Sequence, residues 1–229
     1  MKIARSQLAR MIDYIPSYEK GYVTKEDIIR ACNETKFYGY GVVYVLSNFY
    51  IPLAVKILDG TKAKVGAAVL HHFRAFEEHS SEVKVFMTKD AIEKGAREVD
   101  MLMNIGAFKS GDYESTGKDI EAVVKTAKSM GEVIVKVILE TGFLTDKEIV
   151  EACLLAKKAG ADFVKTSTGI GPSGATVHHV RLMKRTVGNS MGVKAAGGIR
   201  NTGEAIAMIE AGADRIGASQ AKAIVEGLS

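Results

Sequence analysis

Cysteine is scarce in this chain: 229 residues contain two, Cys32 and Cys153, together with three prolines and no tryptophan. The two cysteines are far apart, and each falls in a helical pattern. The expectation is two reduced, buried thiols rather than a disulfide frame. No apolar run approaches the roughly 18 residues needed to cross a membrane. Met1-Lys2-Ile3-Ala4-Arg5 leads straight into an amphipathic pattern, not an apolar leader, so a cytoplasmic location is expected. Dense Lys/Arg runs and basic helix stripes are missing too. The net charge of +4 and pI near 8.9 therefore suit a small anionic ligand and do not indicate nucleic acid. The five histidines are His71, His72, His79, His178 and His179. Adjacent pairs point apart on a strand, and no carboxylate–histidine spacing resembles a zinc set, so no metal is expected. No Gly-x-Ser-x-Gly elbow marks a nucleophilic serine.

What is present is alternation. Hydrophobic residues make up 47% and charged residues 25%, enough for a sizeable core under an ordinary soluble surface. Short apolar runs at 41–46, 64–70, 98–103, 133–139, 162–166, 192–196 and 215–217 read as strands, separated by segments of helical period. Over 118–130, Ile120, Val123, Val124 and Ala127 recur on one face. Thr145-Asp146-Lys147-Glu148 has the form of a capping box at a helix start. Strand–helix alternation implies parallel pairing with right-handed crossovers, hence an α/β protein. No proline- or serine-rich linker divides it, so residues 1–229 are expected to form one domain.

A weak repeat sharpens this reading. Gly95-Ala96, Gly160-Ala161 and Gly212-Ala213 each close a helix and open a strand, and four residues beyond each alanine stand Asp100, Lys165 and Gly217. Equivalent depths in three units suggest one shared cavity in a closed (β/α)8 TIM barrel with an additional N-terminal helix. The stretch Met11-Ile12-Asp13-Tyr14 is the candidate for the eighth strand. A doubly wound open sheet is the alternative, but no Gly-x-Gly-x-x-Gly follows the first strand to support it.

Lysine inside strands is the informative feature. Lys136, Lys165 and Lys194 each sit among small or apolar neighbours. Alternation along the strand puts Lys136, Ile138 and Glu140 on one face, with Glu98, Asp100 and Leu102 sharing another. One such lysine alone reads as a side chain reaching solvent at a strand end. Three together, with Asp100 and Glu140 as counter-charges, suggest a buried cluster, since buried charge is costly unless paired. Neighbouring cations and desolvation favour neutral amine, the form that attacks a carbonyl. Schiff-base chemistry is the implied reaction.

Anion-binding signals lie further on. Ala195-Ala196-Gly197-Gly198-Ile199-Arg200-Asn201-Thr202 runs from a strand end into a helix start near Asn201 or Thr202, and Gly217-Ala218-Ser219 follows the final strand. Glycines admit backbone amides to an anion, and barrels of this class often hold phosphate behind their last two strands. The loop from Ser167 to Gly174 is placed either to close over a ligand or to be a plain turn.

Several of these stretches resemble deoxyribose-phosphate aldolases. They are Glu98-Val99-Asp100-Met101, Asn104-Ile105-Gly106-Ala107 and Lys109-Ser110-Gly111-Asp112-Tyr113, then Val135 through Gly142, Gly160 through Gly169 and Gly192 through Arg200. The resemblance implies a class I aldolase that interconverts 2-deoxy-D-ribose 5-phosphate with glyceraldehyde 3-phosphate and acetaldehyde, with neither metal nor organic cofactor. By motif it makes Lys165 the imine-forming residue and Lys194 its neighbour, with Asp100 sharing in proton transfer. It places Gly169, Gly197, Gly198 and Ser219 at phosphate, and Lys136, Glu140 and Asp13 in the supporting polar network. Asp13 matches an acid of the family's N-terminal motif. Its partners would be phosphosugar and aldehyde, with a homo-oligomer possible. The N-terminal third departs from the family: Ile15 stands for a threonine, the usual Cys-Val-Asn-Pro is replaced over 43–48, the loop around His72-Phe73-Arg74-Ala75-Phe76 is altered, and Gln220 replaces a frequent serine. Two other readings are a phosphosugar isomerase or epimerase on a similar barrel, and a phosphosugar-binding relative without turnover.

Overall fold

A computed structural model describes residues 3–17, 22–69 and 79–228. Helix α1 (Arg5–Met11) leads into the short strand β1 (Ile12–Tyr14), and α2 (Lys25–Tyr38) follows. Alternation then runs through β2 (Val42–Val45), α3 (Ile51–Leu58), β3 (Lys64–Val69), α4 (Ser81–Glu93) and β4 (Glu98–Leu102). After α5 (Ile105–Lys109) and α6 (Tyr113–Ser129) come β5 (Ile134–Ile138), α7 (Asp146–Lys158), β6 (Phe163–Lys165) and α8 (Val177–Val187). The chain ends with β7 (Gly192–Ala196), α9 (Thr202–Glu210), β8 (Arg215–Ala218) and α10 (Ala221–Glu226).

The strands pair in parallel in chain order, and the ring closes where Asp13 of β1 lies between Val42 of β2 and Gly217 of β8. Closure leaves no edge strand. Each strand window expected from sequence matches a strand to within a residue or so at either end, and the 11–14 stretch supplies β1. Leu70, the last residue of the 64–70 window, lies outside the described residues, as do His71, His72 and the 72–76 loop.

Local chemistry explains the boundaries. The Thr145 hydroxyl accepts from the Glu148 amide while the Glu148 carboxylate accepts from the Thr145 amide, the reciprocal box that starts α7. Helix α6 starts earlier than its apolar period shows, because Asp112 caps it by accepting from the Ser115 amide. The three repeat glycines take positive φ, 108° at Gly95, 82° at Gly160 and 111° at Gly212, turning each helix back toward the barrel. Outward strand residues Val135, Val137, Val164, Val193 and Ile216 are fully buried in one core with helix residues such as Ile120, Val123 and Ile149. Among the described residues, no helix is long and apolar enough to cross a membrane.

One expectation needs correcting. His178 and His179 do not lie on a strand; they open α8, where the Thr176 hydroxyl caps the helix by accepting from the His179 amide. Their rings lie 5.6 Å apart; His178 Nε2 is 2.8 Å from Asp146 Oδ2, and His179 Nδ1 is 3.1 Å from Thr141 Oγ1. Among the described residues, no group of three or more His, Cys, Asp or Glu could hold a metal ion.

Candidate active site

Parallel register stacks the ionisable residues inside the barrel. Asp100 on β4 lies opposite Lys136 on β5, and Lys165 on β6 lies opposite Lys194 on β7. The first contact this permits is a shared one: Asp100 Oδ2 accepts from Lys165 Nζ at 2.8 Å and from Lys194 Nζ at 2.8 Å. Lys194 Nζ is also 2.6 Å from Asp13 Oδ2 of β1. Gly217, equivalent in the repeat to Asp100 and Lys165, leaves the space this lysine needs, since a Cβ there would stand 3.0 Å from Lys194 Cε.

A second tier braces the first. Lys136 is ion-paired with Glu98 and lies 3.4 Å from Asp13 Oδ2 and 3.6 Å from Asp100 Oδ1. Arg215 pairs with Asp13 and reaches Glu98 at 3.7 Å. Tyr44 of β2 donates to Asp100 Oδ1 and accepts from Lys136 Nζ at 2.8 Å. None of the three lysines extends to solvent at a strand end. Lys136 and Lys194 are wholly buried, and Lys165 is 3% exposed.

Three carboxylates (Asp13, Glu98 and Asp100) thus face four cationic side chains (Lys136, Lys165, Lys194 and Arg215). Burial pushes the Lys194 amine down to about 8, with Lys165 and Lys136 adding to the effect and Asp100 and Asp13 opposing it. Lys136 goes the other way: burial would lower it, but Asp13, Asp100 and Glu98 outweigh burial and raise it. Lys194 and Lys136 thus part according to the carboxylates they meet, two beside Lys194 and three beside Lys136. Burial alone would raise the Asp100 carboxyl, yet Lys165, Lys194 and Lys136 hold it well below the usual carboxylate range. Asp13 is brought to about 2 against its burial by Lys136, Lys194 and Arg215. Burial, then the neighbouring carboxylates, raises the Tyr44 phenol well above its ordinary value, so it remains a donor.

At the rim, a pocket of about 310 Å³ is lined by Gly169, Gly197, Gly198 and Ser219 together with Arg200 and Gln220. Gly197 is fixed by two constraints: its φ is +92°, and a Cβ would meet Ser167 Oγ at 2.5 Å and Gly174 Cα at 2.9 Å. Glycine alone satisfies both, and this contact seats the 167–174 loop on the β7–α9 turn. Ser167 Oγ donates to Ala196 O at 2.6 Å, and Ala175 N donates to Gly197 O at 3.0 Å. Asn201 caps α9 through the Glu204 amide, leaving the helix start beside the pocket. Ile15 and Ser17, from the divergent N-terminal segment, also line it.

Glu140 makes a different contact from the lysine pairing expected of it. Its backbone is left-handed (φ 53°), and its buried carboxylate accepts from the Thr168 amide at 2.9 Å. Burial raises this carboxyl despite that hydrogen bond and the nearby Lys165 ammonium, whose charge opposes the rise without forming an ion pair. Asp13 and Glu98 supply the counter-charges.

Sequence reasoning left out Tyr44 and Arg215 and put Glu98 only on a face. Two residues upstream of the repeat positions Asp100 and Gly217 stand Glu98 and Arg215, so extending the repeat marks both. Tyr44 carries no such signal, since a tyrosine within a strand reads as core.

A closed parallel barrel with a carboxylate-bridged lysine pair beneath a glycine-lined pocket defines the class: a class I aldolase. The profile of the DeoC/LacD family aldolases matches residues 41–227, and the chain belongs to that family. A deoxyribose-phosphate aldolase from Thermococcus gammatolerans is 52% identical over 220 residues, 96% of each chain. One from a Thermoanaerobacter species is 50% identical over 219 residues, again 96% of each. A solved structure described as the tetrameric deoxyribose phosphate aldolase from Aeropyrum pernix superposes with a TM-score of 0.86 at 29% identity, covering 97% of this chain and 91% of that one.

Proposed function

We propose that the chain reversibly cleaves 2-deoxy-D-ribose 5-phosphate to D-glyceraldehyde 3-phosphate and acetaldehyde, with Lys165 forming the imine. The observation that carries this reading is Asp100 Oδ2, held 2.8 Å from both Lys165 Nζ and Lys194 Nζ. A proton can pass along that bridge from Lys165 to Lys194, leaving the neutral amine that attacks the sugar's C1 aldehyde. Water leaves the carbinolamine with Lys194 and Asp100 moving the protons. The C3 hydroxyl then loses its proton, the C2–C3 bond breaks, and its electron pair flows into the protonated imine. Glyceraldehyde 3-phosphate departs. The enamine on Lys165 takes a proton at C2, and hydrolysis releases acetaldehyde and frees the amine.

The phosphate would rest on amides of Gly169, Gly197 and Gly198 and on Ser219. Lys136 and Asp13 set the field under the lysine pair, and Glu140 holds the loop above it. The chain would act as one domain, in the cytoplasm, consistent with buried thiols at Cys32 and Cys153 that burial raises to about 11 and about 12. The tetrameric Aeropyrum relative supports a homo-oligomer.

Borohydride reduction with deoxyribose 5-phosphate, followed by peptide mass mapping, is expected to place an adduct on Lys165, and Lys165→Arg to lose both adduct and turnover. Turnover without an adduct would point to carboxylate acid–base chemistry instead. Binding with neither would point to a non-catalytic relative.

A further inference from the structure

An aromatic ring lies among the buried ammonium groups. The Tyr44 ring centroid is 4.0 Å from Lys194 Nζ, 5.4 Å from Lys136 Nζ and 5.9 Å from Lys165 Nζ. The ring has a built seat. Tyr44 is the register partner of Gly66 on β3, where a Cβ would stand 2.8 to 3.0 Å from three ring atoms, too close for any side chain. The hydroxyl occupies the gap between Lys136 and Asp100, donating to Asp100 Oδ1 and accepting from Lys136.

We propose that Tyr44, seated on Gly66, is a positioning residue for proton transfer in the lysine pair: its hydroxyl holds one oxygen of Asp100 so that the other stays shared between Lys165 and Lys194. Without that hydroxyl, Asp100 has another cation within reach, because Lys136 Nζ is already 3.6 Å from Oδ1. A partial turn toward Lys136 would lengthen the bridge and slow transfer along it, while the carboxylate keeps its charge beside both lysines. The ring adds a second constraint, a negative face on which the Lys194 ammonium rests.

The inference rests on the imine reading above, and it has a sign. The groups packed around Lys194 are Asp13 and Asp100, from β1 and β4, with Lys136, Lys165 and Arg215 on β5, β6 and β8; β2 gives Tyr44, and β3 gives only Gly66 here. A phenol hydrogen bond drains charge from Asp100. Removing it leaves a more basic carboxylate that holds the adjacent ammonium protons more tightly. The first proton then leaves the pair at higher pH.

The experiment compares wild type, Tyr44→Phe and Gly66→Ala in kcat/KM and in borohydride trapping as functions of pH, with thermal unfolding alongside. Tyr44→Phe should move the rising limb of kcat/KM upward by roughly half to one unit. It should lower kcat roughly ten- to hundredfold, with KM within about twofold. Gly66→Ala pushes the ring off its seat with the hydroxyl intact and should move the limb the same way. If wild type forms no adduct at Lys165, both proposals fall. An adduct in all three proteins with an unmoved limb in whichever variant folds leaves the imine reading standing and overturns this one, making Tyr44 a packing residue.

Discussion

Asp13 holds two cations at once, Lys194 at 2.6 Å and Arg215 in an ion pair, and is itself wholly buried. Its negative charge favours the ammonium form of Lys194, an amine that burial pushes toward neutrality. Asp13→Asn is therefore expected to move the rising limb of kcat/KM to lower pH, opposite in sign to Tyr44→Phe. Removing one partner of a buried pair also costs about 3–5 kcal/mol, which urea unfolding would read directly. A limb that moves upward in Asp13→Asn would overturn the charge-balance account. At this scale the sequence shows some residues clearly and hides others. Lys136, Lys165 and Lys194 stand out because ammonium groups contradict their apolar strands. Tyr44 does not, because a tyrosine satisfies strand and core preferences alike, and its hydroxyl partners come from β4 and β5, on strands distant in sequence.

Among the elements, the β5–α7 and β6–α8 connections hold each other through Glu140. The carboxylate binds the Thr168 amide one residue before Gly169, and a Cβ at Gly171 would meet Glu140 Oε1 at 2.5 Å, so the loop folds directly onto the carboxyl. A left-handed non-glycine backbone costs on the order of 1–3 kcal/mol and persists where its surroundings hold it. Glu140→Ala removes the acceptor and leaves the Asp100 bridge to Lys165 and Lys194 in place. The lost hydrogen bond, worth about 1 kcal/mol, should raise KM for the phosphosugar about fivefold with kcat within about twofold; steady-state kinetics would separate this from a catalytic role, which would lower kcat instead. The strands themselves were legible because the same glycine–alanine pair punctuates three helix-to-strand turns and because each strand is a short apolar run. The contact between loop and carboxyl was not, since alternation assigned Glu140 to the lysine face while the backbone leaves the strand at Ile138 and turns left-handed two residues later.

For the molecule as a whole, the closed ring gathers charges from six of its eight strands into a largely buried interior, and this ties folding to pH. Barrel closure was readable from the sequence as a count, seven strands needing an eighth, and β1 completes the ring while carrying Asp13 into its centre. The consequence is an acid limb of stability. Asp13 falls from 3.8 to about 2 on folding, and Asp100 is lowered as well. Each carboxylate is thus harder to protonate in the folded protein, so its stabilisation is fully present above about pH 4, the unfolded value, and is lost as pH falls through the folded one. For Asp13 that amounts to about 2 kcal/mol. Glu140 has the opposite sign, since its raised carboxyl binds a proton more readily in the fold and its contribution weakens as pH rises above 4.5. The stability gap that urea unfolding reads between wild type and Asp13→Asn should therefore narrow by about 2 kcal/mol between pH 4 and pH 2, because the variant lacks the carboxylate whose protonation destabilises the parent. Curves that stay parallel across that interval would mean that Asp13 is not held ionised by Lys136, Lys194 and Arg215, and the charge balance assigned to the barrel interior would have to be redrawn.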